Sequence, residues 1–210
     1  MYSDVLASRI AKSTEGDQIP LVRGCAWFVE SAAGEDAMQQ TWYDVFESSW
    51  GWIGVIGSAK GIRYCSLPED SPERAVEYVA DLVKGRLPEQ RSGAFDQFQR
   101  EIEEYFAGKR QRWDVELDVD DATDFFRRAW AACRSIPPGE TRTYKWLAAQ
   151  AGNPAASRGA GQAMARNRVP LVIPCHRVLG SDGGLHGFAG PGLPLKARLL
   201  RHEGELALRR

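Results

Sequence analysis

Thr143-Tyr144-Lys145-Trp146-Leu147-Ala148-Ala149-Gln150-Ala151-Gly152-Asn153-Pro154-Ala155-Ala156-Ser157-Arg158-Gly159-Ala160-Gly161-Gln162-Ala163-Met164-Ala165 reads as two short helices in tandem. Thr143 is placed to cap a helix over Tyr144–Ala151, and Gly152 is placed to end it. Asn153 then predicts a second cap, with Pro154 at the first position of a helix reaching Ala165. That second helix is rich in small residues, which let a helix lie close to a neighbour or to a nucleic-acid groove. A capped helix, a turn of about three residues and a second helix make a helix-turn-helix candidate. An ordinary helical hairpin fits the same pattern.

Downstream, Val169–Ile173 is a short apolar run that delivers Pro174-Cys175-His176-Arg177-Val178. The run predicts a strand. Gly180, Gly183, Gly184 and Gly187 predict a loose, hairpin-like loop, and Leu193–His202 a final helix with Leu195, Leu199 and Leu200 inward. Upstream, Thr123–Ser135 has Phe125, Phe126, Ala129, Trp130 and Cys133 at helical spacing, and Ile136-Pro137-Pro138-Gly139 stops it.

Further upstream the period changes from helical to strand-like. Thr41–Ser48, Trp52–Gly57 and Ile62–Leu67 are rich in aromatic and β-branched residues and read as three strands, the last two joined by Ala59-Lys60-Gly61. Ser71-Pro72 opens a helix whose inward face is Ala75, Val76, Val79, Leu82 and Val83. Phe95–Phe106 is a second helix, with Phe95, Phe98, Ile102, Tyr105 and Phe106 on one side, and Trp113–Leu117 alternates like one more strand. Strands followed by segregated helices give an α+β class. The expected organisation is an extension over 1–38, a small strand-and-helix domain over 39–118 and a mainly helical domain over 119–210.

The 210 residues suffice for a core without disulfides. Cys25, Cys65, Cys133 and Cys175 are far apart, which excludes a compact disulfide framework and every cysteine-paired zinc motif. No run reaches eighteen apolar residues, and Met1–Ala11 has no unbroken apolar stretch, so neither a membrane span nor a secretory signal is expected. A reducing cytoplasm is the expected compartment. The net charge of -1 hides an asymmetry: residues 1–121 hold 13 Lys+Arg against 23 Asp+Glu, and residues 122–210 hold 14 against 5. A basic block around a helix-turn-helix points to nucleic acid as the partner, while charge alone fits a solvated basic surface equally well.

Cys175 is the cysteine beside evident chemistry. A thiol becomes a nucleophile near neutral pH only with help from a base or a positive charge. His176 adjoins it and Arg177 follows. A Cys-His pair in an apolar segment is more often packing than catalysis, and a zinc site or a cysteine protease are other uses of the same pair. Zinc needs about four ligands, and a protease does not account for the helix-turn-helix upstream.

Taken together these residues resemble the O6-alkylguanine-DNA alkyltransferase family, the methylated-DNA–protein-cysteine methyltransferases. Ile136-Pro137-x-Gly139-Glu140, Thr143-Tyr144, Leu147-Ala148, Arg158, Ala163-Met164, Asn167 and Pro174-Cys175-His176-Arg177-Val178 stand in the family's order. Gly187-Phe188-Ala189-Gly190, Lys196 and Leu199-Leu200-x-His202-Glu203-Gly204 complete the match over roughly 119–210. The resemblance implies an RNase H-like N-terminal domain and a winged-helix-like helix-turn-helix. It implies DNA repair by irreversible transfer of an alkyl group from O6-alkylguanine to Cys175, one event per molecule. His176 would be the base, through a water, and Glu203 would orient it. Tyr144 would donate a proton to the departing guanine, and Asn167 would hold the turn before the active-site strand.

Double-stranded DNA would be entered from the minor groove with the guanine flipped out, Arg158 filling the vacated stack. Ala155, Ala156, Ser157, Gly159 and Ala160 would lie at that interface, with Val178, Phe188 and Ala189 around the base. No cofactor and no metal are expected, and a monomer is. Phe188 stands where the family commonly has tyrosine, Arg168 where proline is frequent, and Gly190-Pro191-Gly192 makes a longer loop. Two other functions fit parts of the chain: a recognition module for alkylated DNA that transfers nothing, and a regulator using the helix-turn-helix alone. The presence of Cys175 separates the chain from the first, and the shortness of residues 1–38 from the second.

Overall fold

A computed structural model describes residues 41–185, 188 and 192–208. The expected extension over 1–38, Ala189 and the Gly190-Pro191 part of the loop lie outside the described residues. Residues 39–210 form one compact unit.

The apolar, β-branched segments become strands β1 (Thr41–Ser48), β2 (Gly51–Ser58) and β3 (Gly61–Cys65), with a two-residue β4 (Glu89–Gln90). The sheet order is β3-β2-β1-β4, antiparallel except for the parallel β1–β4 pair. Gly61, at φ 140, closes the β2–β3 turn, and a Cβ there would lie 2.3 Å from the Glu116 carbonyl oxygen. No other residue fits that backbone and that contact. Central β2 carries Ile53, Val55 and Ile56, all fully buried. Each such side chain contributes about 1.5–3 kcal/mol to folding.

Helix α1 (Pro72–Leu82) starts where Ser71 accepts the Arg74 amide, with proline in its first turn. It packs on β2 at Gly54, where a Cβ would meet the Ala75 carbonyl oxygen at 2.4 Å. Its inner face is Ala75, Val76, Val79 and Ala80, while Leu82 and Val83 stay partly exposed. Helix α2 (Asp96–Phe106) buries Phe98, Ile102, Tyr105 and Phe106 as the spacing predicts.

Trp113–Leu117 does not form a strand. Its contact with the sheet is a single bridge, Leu117 to Ile62. Buried Glu101 on α2 accepts the Asp114 amide at 3.0 Å, so a side chain satisfies a donor that a strand would give to a ladder.

The second part contains α3 (Asp124–Arg134), β5 (Arg142–Thr143), α4 (Tyr144–Gln150), α5 (Ser157–Ala165), a 3-10 turn over Cys175–Arg177, β6 (Val178–Leu179) and α6 (Leu193–Leu208). Strands β5 and β6 pair in parallel. Thr123 caps α3 and Thr143 caps α4. Phe125 and Phe126 are half-buried; the inward face of α3 is Ala129, Trp130 and Cys133. Cys65 of β3 donates its amide to the Arg168 carbonyl, and Arg63 and Arg168 both pair with Asp121.

Candidate active site

Two sequence expectations about the supporting backbone change. Helix α5 begins at Ser157, not Pro154, and Asn153 does not cap it. Gly152, at φ 87, ends α4: its amide reaches the Ala149 carbonyl while the Asn153 amide reaches that of Ala148. Those two bonds satisfy carbonyls left open at the helix end. The Ala156 amide then closes a turn on the Asn153 carbonyl. Ala155 and Ala156 therefore sit in the turn between the helices, at the entrance to α5.

The apolar run Val169–Ile173 is likewise not a strand. The Ile173 amide returns to the Val169 carbonyl and Leu171 adopts φ 73, so the run is a tight buried turn. Asn167 ties it down. Its side-chain amide donates to the Ile173 carbonyl at 2.8 Å, and its oxygen accepts the Val169 amide at 3.0 Å. Cys175 and His176 follow on a 3-10 turn.

On that turn His176 is fully buried. Its Nε2 lies 2.9 Å from Oε1 of Glu203, which α6 brings to the same point and which is also fully buried. Burial at this contact agrees with an orienting part for Glu203 and leaves it no surface exposure. Arg177 closes on the carboxylate with Nη2 to Oε1 at 2.7 Å and Nε to Oε2 at 2.9 Å, and reaches the Ile136 carbonyl with Nη1. Burial raises the cost of a charged Glu203, but the bonds from His176 and Arg177 more than reverse this and hold it well below the usual carboxylate range. Burial pulls the His176 imidazole down, against the pull of Glu203, which keeps it neutral near pH 7.

An ionised carboxylate only accepts hydrogen bonds, so Nε2 carries the imidazole proton. The lone pair is then on Nδ1, which is buried and has no partner among the described residues. A neutral imidazole with an uncommitted Nδ1 lone pair can take a proton from a nearby acid.

Cys175 itself is partly exposed. Burial of its thiol raises its pKa, while the Asn167 side chain and the Lys196 ammonium lower it. Lys196 is fully buried and donates to the Val178 carbonyl at 2.8 Å, with the Phe188 ring 5.9 Å from its Nζ. Tyr144 opens α4, and its phenol is raised by burial and then by nearness to Cys175. One small volume thus brings together Tyr144, Asn167, Cys175, His176 and Glu203. Phe188 and Val178 flank it, but the Val178 side chain is wholly in the core.

Along α5, Arg158 is exposed and makes no ion pair with another described residue, and Ser157 beside it is half-buried. Ala160 is fully buried, so its small size serves packing behind the helix. A Cβ on Gly159 would meet Phe125 of α3 at 3.3 Å, whereas one on Gly161 would meet nothing within 4 Å. The close approach that α5 offers outward is at Gly161, which the spacing of small residues alone did not separate from its neighbours. Sequence reasoning also left Tyr105 among the core residues, yet its hydroxyl reaches Oε1 of Glu203 at 2.7 Å. A hydroxyl on an otherwise apolar helix face was the available signal.

The chain is similar to known proteins in sequence and in fold. The profile of the 6-O-methylguanine DNA methyltransferase DNA-binding domain matches residues 124–205. A methylated-DNA–protein-cysteine methyltransferase of Methanosarcina barkeri is 39% identical over 162 residues, which is 77% of this chain and 96% of the relative. The O6-methylguanine methyltransferase of Mycobacterium tuberculosis superposes with a TM-score of 0.65 at 32% identity, over 81% of this chain and 99% of its own. The same organism's OGT in complex with DNA gives a TM-score of 0.65 at 33% identity, over 78% and 93%. At 39% identity over 96% of the Methanosarcina barkeri relative, and with the α+β fold shared along nearly the whole of the solved structures, the chain belongs to the methylated-DNA–protein-cysteine methyltransferase family.

Proposed function

We propose that the methyltransferase activity of this chain, direct repair of O6-alkylguanine in DNA, runs through Cys175 as the alkyl acceptor. The Cys175 thiol gives its proton to Nδ1 of His176, by way of a water. The thiolate attacks the alkyl carbon, the S–C bond forms, the C–O bond breaks, and the electron pair stays on the guanine oxygen. Tyr144 protonates the departing guanine, and its own proton is restored from His176. Thiol and alkylguanine become thioether and guanine, so the step balances without another reactant. A thioether has no good route back, so each molecule acts once. The observation that carries this reading is the buried His176, held through Nε2 at 2.9 Å by Glu203 on the turn that bears Cys175.

DNA is held by the second part of the chain, which has the basic balance. In this reading α5 enters the minor groove with Arg158 outermost, half-buried Ser157 and Gly161 beside it, and the turn residues Ala155 and Ala156 at its entrance. The target base is flipped out, Arg158 takes its place, and Phe188 and Ala189 flank the pocket. Residues 39–118 support the site and residues 119–210 carry it. The protein acts as a monomer in the cytoplasm, and no helix among the described residues is long and apolar enough to cross a membrane.

Intact-protein mass spectrometry after incubation with a duplex holding one O6-methylguanine tests the assignment. The expected result is a gain of one methyl on the Cys175 peptide, absent in Cys175→Ala, which still binds the duplex. A methyl gain in Cys175→Ala would overturn the acceptor. Binding by the wild type with no gain would make the chain a recognition module for alkylated DNA.

A further inference from the structure

We infer that Tyr105 is a positioning residue for the transfer reaction, its hydroxyl setting the basicity of His176 through Glu203. The inference rests on the reading of Cys175 as acceptor and His176 as base. Tyr105 belongs to α2, 98 residues before Glu203 in sequence, and is 1% exposed. Its hydroxyl donates to Oε1 of Glu203 at 2.7 Å, the same oxygen that lies 2.9 Å from His176 Nε2 and 2.7 Å from Arg177 Nη2. The neighbouring residue of α6 holds the other end of Tyr105: His202 Nε2 donates to the Tyr105 carbonyl at 2.9 Å. Consecutive residues of α6 thus clamp one residue of α2 by backbone and by side chain.

Packing alone does not need the hydroxyl. The ring lies against Trp113, Phe106 and His202 at 5.3, 5.5 and 5.5 Å, contacts that phenylalanine would make as well. The hydroxyl instead adds a third donor to an oxygen with two lone pairs, so the donors share its charge. Charge drawn toward Tyr105 is charge withheld from His176. Burial and the adjacent carboxylate push the Tyr105 pKa far above its ordinary value, so it remains a donor throughout the working pH range. The charged and titratable groups facing His176 are Glu203, Arg177, Lys196 and Cys175, with Tyr105 behind the carboxylate. Removing the hydroxyl strengthens the pull of Glu203 on the imidazolium. His176 then stays protonated to higher pH, and it cannot accept the thiol proton while protonated.

The test is the single-turnover rate of methyl transfer from an O6-methylguanine duplex to the full chain, followed across about pH 5 to 9, where the imidazole titrates. Tyr105→Phe is expected to slow transfer about threefold on the acid side. Its acid limb should move up by about half a pH unit, with duplex affinity unchanged. Site-specific 3-fluorotyrosine at position 105 keeps the shape and is a stronger donor, so its limb should move the opposite way. Phe98→Leu, another buried ring on α2, should lower stability without moving the limb. Unchanged limbs in both Tyr105 variants, or an equal shift in Phe98→Leu, would overturn the inference. Lack of methyl on the wild-type Cys175 peptide would instead overturn the site assignment, and the inference with it.

Discussion

Replacing Glu203 by glutamine changes one atom's chemistry inside a fully buried cluster. The carboxylate now takes bonds from Tyr105, His176 and Arg177 and donates none. Glu203→Gln removes the charge opposite the Arg177 guanidinium, which is 4% exposed and cannot recover water. Removing one partner of a buried ion pair costs about 3–5 kcal/mol of stability. The amide also offers an N–H group toward His176. Facing it, Nε2 gains by becoming an acceptor, and the imidazole proton moves to Nδ1. A base that already carries the proton cannot take one from Cys175. A wrong tautomer of this kind in a hydrolase triad lowers the rate about 10⁴-fold, and a loss of about 10³-fold or more is expected here. The assay is single-turnover methyl transfer, at a temperature where urea titration shows Glu203→Gln to be folded, with duplex binding measured in parallel. A folded variant that bound the duplex and transferred within about threefold of the wild type would show that thiol activation does not run through His176 and Glu203.

Arg158→Ala should slow transfer from duplex DNA far more than from a free O6-benzylguanine; equal losses on the two substrates would remove its role in base flipping. Asn167→Ala frees the buried Ile173 carbonyl and the Val169 amide, so about 1–3 kcal/mol should be lost in urea unfolding, with slower transfer; unchanged stability would refute the tie. Stability should also fall with acid in two stages. His176 is held neutral when folded but protonates near about pH 6.5 when unfolded, so its contribution is complete above that pH and is lost as pH falls through the lowered folded value. Glu203, whose folded pKa is also depressed, adds a loss of the same sign below about pH 4.3. Urea midpoints between these windows check the order, and a midpoint flat from about pH 7 to 5 would contradict the histidine stage.

Much of the fold was legible because local chemistry and packing agree. Thr41–Ser48 is a strand over its whole expected span, and Ser71, Thr123 and Thr143 cap the helices that their positions predict. The misreadings occur where a hydrogen-bond partner outside the segment's own pattern decides. Trp113–Leu117 alternates like a strand, but Glu101, from another element, takes the Asp114 amide. Asn153-Pro154 has cap chemistry, but the Ala156 amide closes a turn on the Asn153 carbonyl and α5 starts only after that turn. Val169–Ile173 has the composition of a strand, and Asn167 folds it into a turn. The Cys-His pair was visible as neighbours in sequence. Glu203 entered only through the family resemblance, and the part of Tyr105 was not visible at all, because their carboxylate and hydroxyl meet only after α2 and α6 pack.

The same distinction applies to charge. The second part's excess of cations suggests a broad electrostatic surface, yet several of its arginines are occupied within the fold. Arg177 lies in the core on Glu203, Arg168 pairs with Asp121 and stacks near Tyr64, Arg128 holds the Ala151 carbonyl at the end of α4, and Arg142 pairs with Glu140. Arg198 lies 3.6 Å over the Trp50 ring. Lys145 and Arg158, on the helix pair itself, are exposed and outside any ion pair among the described residues. Each phosphate neutralised contributes about 0.9 to the slope of log affinity against log salt. A slope near the full basic excess would require the structural arginines to leave their partners. The fold therefore predicts a shallow slope of about 2–4 for the wild type on undamaged duplex, reduced in Lys145→Ala and in Arg158→Ala and unchanged in Arg142→Ala. A steep slope that Arg142→Ala lowered as much as Arg158→Ala would mean that DNA competes for arginines now paired with carboxylates of the chain, and that α5 is not the center of the contact.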